Sequence, residues 1–177
     1  LDASYYAIQP ERNIKKWINE TPERFQFVVK IHQALTLHAD FRDFSETRQE
    51  LFDAFKEMLA PLQESQKLAM VLVQFPPWFD CSSQNIKYIL YVKQQLQDYP
   101  MCVEFRHQSW FNDQFKEETL SFLTEHQIIH AVVDEPQVKD ASIPLVNRIT
   151  SDIAFVRYHG RNVHGWTKKD MTDQEWR

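Results

Sequence analysis

Leu68-Ala69-Met70-Val71-Leu72-Val73-Gln74-Phe75, closed by Pro76-Pro77, is the stretch on which the fold turns. One polar residue among eight, with no alternation between apolar and polar, fits a strand buried on both faces. The two prolines end it, since neither can donate to a sheet ladder. Strands of this kind belong to parallel sheets covered by helices. Its flanks agree. Leu51, Phe52, Phe55, Met58 and Leu59 fall at helical spacing upstream, after Ser45 and Arg48. Pro61 predicts the end or a kink of that helix, with Leu62 beyond the break. Downstream, Ser82 or Ser83 can cap a helix carrying Ile86, Ile89, Leu90 and Leu96.

The rest of the chain repeats the alternation. Leu1–Tyr6, Phe25–Ile31, Met101–Phe105, Ile128–Val133 and Ile153–Tyr158 read as strands. A short helix opens at Pro10 and Glu11 and runs to Asn19, another covers Phe115–His126, and Lys168–Arg177 is a polar tail of weak helical character. Six strands, each followed by a helix or long loop, leave two candidates: an open doubly wound α/β sheet and a (β/α)8 barrel. The count fits a TIM-type barrel without its first and last βα units. No repeat or low-complexity linker divides residues 1–177, which read as a single α/β domain. The absence of an opening Met, with Leu1 already inside a strand, reads as a fragment of a longer chain.

Composition narrows the function. At 177 residues with 43% hydrophobic and 25% charged, the chain can bury a sizeable core. No apolar run reaches the roughly 18 residues of a membrane span, and no secretory signal opens the chain. A net charge of −5 argues against a protein that grips nucleic acid by bulk charge. Cys81 and Cys102 make no disulfide framework, and the expected compartment is the cytoplasm. Gly160 and Gly165 are the only glycines, so Gly-rich phosphate loops are absent from the sequence.

The polar residues carry more. Residues two apart on a strand share a face. That rule puts Val28, Lys30 and His32 together, and likewise Leu72 with Gln74, and Cys102 with Glu104 and Arg106. Val132 groups with Asp134, and Phe155 with Arg157 and His159. In these five strands the polar group arrives at the C-terminal end, where α/β folds bind their ligands. Asp2, Ser4 and Tyr6 share a face on the first segment, though there the polarity is spread along its length. Lys30, Arg106, Arg157 and Arg161 outnumber Glu104 and Asp134, which points to a small anionic ligand bearing phosphate or carboxylate.

At such a mouth Glu104 or Asp134 would act as general base and His159 as acid or base. Gln74, Tyr6 and Trp110 would complete the ligand contacts. A divalent metal at His32, Glu104, Asp134 and His159 is allowed by ligand chemistry but not favoured, because no HExxH or Cys-x-x-Cys spacing accompanies it. Cys102, mid-strand without a His signature, reads as a small core residue, and Ser109 lacks a G-x-S-x-G context. His38, His107, His126 and His130 read as surface or hydrogen-bonded core residues. Two alternatives stand beside the acid–base enzyme. One is a metal-dependent phosphodiester or nucleic-acid enzyme. The other is a non-catalytic ligand- or partner-binding module with Trp78, Trp110 and Trp166 at its interface. Oligomeric state is not legible in the sequence.

Four motifs in order carry a family resemblance: Phe25-Gln26-Phe27-Val28-Val29-Lys30; Gln74-Phe75-Pro76-Pro77; Val103-Glu104-Phe105-Arg106-His107 with Ser109-Trp110-Phe111; and Val156-Arg157-Tyr158-His159-Gly160-Arg161. Together they resemble the YecE-like family, domain of unknown function 72, and Asp2-Ala3-Ser4-Tyr5-Tyr6 is similar to that family's second-strand motif. The resemblance implies a TIM-type barrel. It also implies that the family's first strand, with a Gly-x-Ser-Gly-Trp type motif, and its last strand and helix, with an aromatic-Asn-Asn segment, lie outside this chain. It implies a fold and a mouth, not a reaction.

Overall fold

The apolar run at 68–75 is a strand in the computed structural model, which describes residues 1–138 and 142–163. In chain order the elements are α1 (Ala3–Tyr6), α2 (Glu11–Glu20), β1 (Phe27–Lys30), α3 (Arg48–Glu64), β2 (Leu68–Gln74), α4 (Ser83–Gln95), β3 (Met101–Glu104), α5 (Lys116–Glu125), β4 (Ile129–Asp134) and β5 (Phe155–Tyr158). Short 3-10 turns lie at Gln33–Thr36, Phe41–Asp43 and Gln108–Phe111. The five strands form one sheet in the order β1-β2-β3-β4-β5, each parallel to its neighbour. The result is an α/β fold whose curled parallel sheet is consistent with part of a barrel. No helix among the described residues is long and apolar enough to cross a membrane.

Side-chain parity splits the core into two layers. Val29, Val71, Val73 and Val103 face the helices and pack with Leu51, Phe55, Leu59 and Leu62 of α3. Met70, Leu72, Cys102, Ile129 and Ala131 form a second, inner apolar cluster closed by Val28 and Phe155. Register aligns the inner residues across the sheet, Leu72 with Cys102, Cys102 with Ile129, and Ala131 with Phe155. Both faces of the strands are therefore dry, as the unbroken run at 68–75 requires.

Two expectations need correction. The segment Leu1–Tyr6 is not a strand. The Leu1 carbonyl accepts the Lys30 N–H at 3.1 Å beside β1, and the chain then turns into α1. Ser4 holds that turn, its hydroxyl reaching the Leu1 and Lys30 carbonyls at 2.9 and 2.6 Å. Pro61 does not end α3, which runs on to Glu64 with Leu62 fully buried. Packing of that last turn outweighs the missing N–H. The cap of α3 is Thr47: its hydroxyl accepts the Glu50 N–H while the Glu50 carboxylate accepts the Thr47 N–H, a capping box. The tail at 168–177 lies outside the described residues.

With two glycines in the chain, helix ends fall to other residues. Both α3 and α5 close by 6→1 and 5→2 hydrogen bonds, Lys67 N to Leu62 O with Gln66 N to Gln63 O, and Ile128 N to Leu123 O with Gln127 N to Thr124 O. Gln66 and Gln127 occupy the left-handed position at φ 56° and 52°. These turns deliver the chain directly into β2 and β4.

Candidate functional site

At the C-terminal ends of the strands the inner face changes from apolar to charged. Lys30, Gln74 and Glu104 are the last residues of β1, β2 and β3, and Gln74 and Glu104 stand in register. Arg106 lies two residues beyond β3, Arg157 is on β5, and His159 follows it. The sheet thus brings six of the expected site residues to one end, and Gln74, Glu104, Arg106, Arg157 and His159 join in one hydrogen-bonded and ion-paired cluster.

Glu104 is its centre and is wholly inaccessible to solvent. Arg157 Nη1 donates to its Oε2 at 2.6 Å, and Arg106 Nε stands 2.8 Å from its Oε1. The same Arg157 Nη1 donates to Gln74 Oε1 at 3.2 Å. Arg106 also donates through Nη1 to Glu135 Oε2 at 2.7 Å and through Nη2 to His159 Nε2 at 3.1 Å. Glu135, 2% exposed, uses its other oxygen to accept the Ile143 N–H at 2.9 Å. Burial alone would raise the Glu104 pKa. His159, Arg106 and Arg157 outweigh it and hold the carboxyl down at about 2.

Lys30 differs from the arginines. Its ammonium lies 4.1 Å from the centre of the Tyr5 ring, and no carboxylate comes within 4.0 Å of it among the described residues. Its pKa is lowered by partial burial first; Asp2 and Glu104 pull it back up, while Arg157 and Arg106 push it further down. Among the described residues the mouth therefore holds an ammonium without an ion-pair partner beside two arginines that share the Glu104 carboxylate.

An aromatic rim continues from Lys30. Tyr5 meets Tyr6 and His38 edge-on at 5.0 and 5.5 Å, and His38 meets Trp78 edge-on at 6.1 Å. Tyr6 is 67% and Trp78 65% exposed.

Other expected residues sit elsewhere. Asp134 pairs with the exposed Arg161 at 2.8 Å, away from the Glu104 cluster. Trp110 is 1% exposed and donates its Nε1–H to the Phe79 carbonyl at 2.7 Å. It stacks with Phe105 at 4.1 Å on the helix side of the sheet, so it packs the core rather than the mouth. His32 is buried and caps the Gln33–Thr36 turn, accepting the Ala34 N–H at 3.3 Å. Cys102 lies in the inner apolar cluster, where burial and then the Glu104 carboxylate push its thiol up. Among the described residues no three His, Cys, Asp or Glu side chains gather to hold a metal ion. Trp166 lies outside the described residues.

Glu135 was not anticipated. Ala131 stands in register with Phe155 and Val133 with Arg157, and that period of two leads to Glu135 rather than Asp134. The uniformly apolar Ala131-Val132-Val133 run hides that parity in the sequence.

A family model described as Protein of unknown function DUF72 matches residues 1–177. The UPF0759 protein YunF of Bacillus subtilis (strain 168) is 51% identical over 178 residues, covering 100% of this chain and 63% of its own length. Among solved structures, a DUF72 family protein from Enterococcus faecalis V583 superposes with a TM-score of 0.91 at 34% identity, over 96% of this chain and 62% of its own. A DUF72 family protein from Thermotoga maritima MSB8 gives 0.77 at 31% identity, over 97% and 65%. The chain thus spans 63% of the length of the curated relative it matches.

Proposed function

The chain belongs to the DUF72 family of proteins of unknown function, as its four ordered motifs implied, and from the side chains gathered at the strand ends we propose that it is an enzyme binding a small phosphate- or carboxylate-bearing ligand there. The observation that carries this reading is Lys30, a half-buried ammonium facing the mouth with no carboxylate within ion-pair distance among the described residues. Arg157 reinforces it. Among the described residues both of its acceptors are met by Nη1, which leaves the remaining edge of the guanidinium for a ligand.

In this reading Glu104 and Glu135 orient the arginines. Held near 2, Glu104 takes up no proton at neutral pH, so its work is electrostatic and the acid–base step falls to histidine. Gln74 fixes Arg157, and Tyr6 and Trp78 border the ligand. Arg161, paired with Asp134, stands at the rim. The same reading takes the sheet as part of a (β/α)8 barrel in a cytoplasmic protein.

The test is the thermal shift of the full-length protein against phosphorylated and carboxylated metabolites. A ligand at one hundred times its dissociation constant adds about 2.7 kcal/mol, a shift of a few degrees. A hit lost in Lys30→Met supports the site. No shift with any anion overturns it.

A further inference from the structure

The carboxylates at the mouth are committed to arginine, and His159 Nε2 accepts from Arg106. The open proton acceptor is on a different loop. His38 follows the Gln33–Thr36 turn after β1, where Leu37 adopts φ 65° and its C-cap geometry directs the chain on to His38. The ring lies edge-on between Tyr5, which carries the Lys30 ammonium, and the exposed Trp78. Its Nδ1 is 2.8 Å from Thr36 Oγ1, and the single hydroxyl hydrogen of Thr36 goes to the Gln33 carbonyl at 3.1 Å. With the hydroxyl hydrogen on the Gln33 carbonyl, Nδ1 carries its own hydrogen and donates it to Thr36. The lone pair is left on Nε2, which meets no partner among the described residues.

Resting on the anion-binding reading above, we propose that His38 Nε2 is the proton-accepting group of this mouth, acting on an O–H or C–H next to the anionic group of the ligand. The N–H bond forms as the O–H or C–H bond breaks. The electron pair stays on the ligand, facing Lys30 and Arg157, and His38 becomes the imidazolium. Ligand binding itself switches the base on. Burial, then Lys30 and Arg106, holds the His38 pKa at about 4, so the ring is neutral but weakly basic. Tyr5 and Trp78, also packed on it, are uncharged at neutral pH. An anion on Lys30 cancels part of the repulsion, though not the effect of burial, and so returns part of the basicity only when a ligand is present.

The experiment is an NMR titration of the histidine rings in the full-length protein, with and without inorganic phosphate. The expected result is a His38 ring protonated on Nδ1, with a midpoint that rises by about one pH unit or more on adding phosphate. Lys30→Met should raise the midpoint without phosphate and abolish the further rise, and Thr36→Val should reduce the Nδ1–H tautomer. Phosphate that stabilises the protein against heat yet leaves the His38 midpoint and tautomer unmoved overturns the role of His38 and leaves the anion site standing. Phosphate that neither stabilises the protein nor moves His38 overturns both.

Discussion

Arg157 Nη1 and Glu104 Oε2 meet at 2.6 Å across 53 residues of sequence, joining β5 to β3 over the intervening β4. The pair ties the charged mouth to the sheet, and Arg106 on the other carboxylate oxygen makes the tie a triad. Glu104 and Glu135 balance Arg106 and Arg157, so the excess positive charge of the mouth comes from Lys30, and the paired groups hold their geometry before any ligand arrives.

Glu104→Gln should destabilise the fold strongly. A neutral amide leaves two partly buried guanidinium groups without their shared anion, and removing one partner of a buried ion pair costs about 3–5 kcal/mol. Urea unfolding of wild type and variant should show the midpoint falling without a change in slope. An unchanged midpoint would mean that the triad contributes nothing to the fold.

Acid should weaken the protein in two stages. The His38 pKa is depressed to about 4 from an ordinary 6.5, so the folded state resists the proton that the unfolded chain accepts. That stability is complete above 6.5 and is lost as pH falls toward 4. Glu104, near 2 against an ordinary 4.5, adds a second loss below 4.5. Denaturation at pH 7, 5 and 4 should show stability falling at each step, and His38→Gln should flatten the upper part of the fall.

What the sequence made legible follows from periodicity. The apolar run at 68–75 announces a strand dry on both faces, and the period of two places Lys30, Gln74, Glu104, Arg106, Arg157 and His159 at one end of the sheet. It fails where the pattern carries no phase. Ala131-Val132-Val133 points equally to Asp134 and Glu135, and the register of β4 on β5 with the Arg106 contact decides for Glu135. Tyr5-Tyr6 has the composition of a strand, yet Ser4 draws the backbone into a turn through two carbonyls that no local pattern reveals. Trp110 follows a strand as a rim residue would, but its indole N–H is spent on Phe79 in the core. His38 gave no signal because its neighbours come from three separate segments.

Gln66→Gly and Gln127→Gly should each stabilise the protein. Both positions are left-handed helix ends at φ 56° and 52°, where a side chain costs about 1 kcal/mol that glycine avoids. Part of that gain is offset by the greater freedom of glycine in the unfolded chain, so the expected rise is roughly 0.5 kcal/mol each. Thermal melts of the single and double variants should rise additively, since the sites lie at the ends of different helices.

The central claim is that the mouth binds an anion through Lys30. Calorimetric titration of the full-length protein and of Lys30→Met with the anion that gives the largest thermal shift tests it most directly. Lys30 makes no ion pair among the described residues, so the variant should keep its melting temperature within about 2 °C. Its affinity should fall about tenfold or more, equivalent to about 1.4 kcal/mol of lost attraction. Equal affinity in the two proteins would contradict the account and place the anion elsewhere.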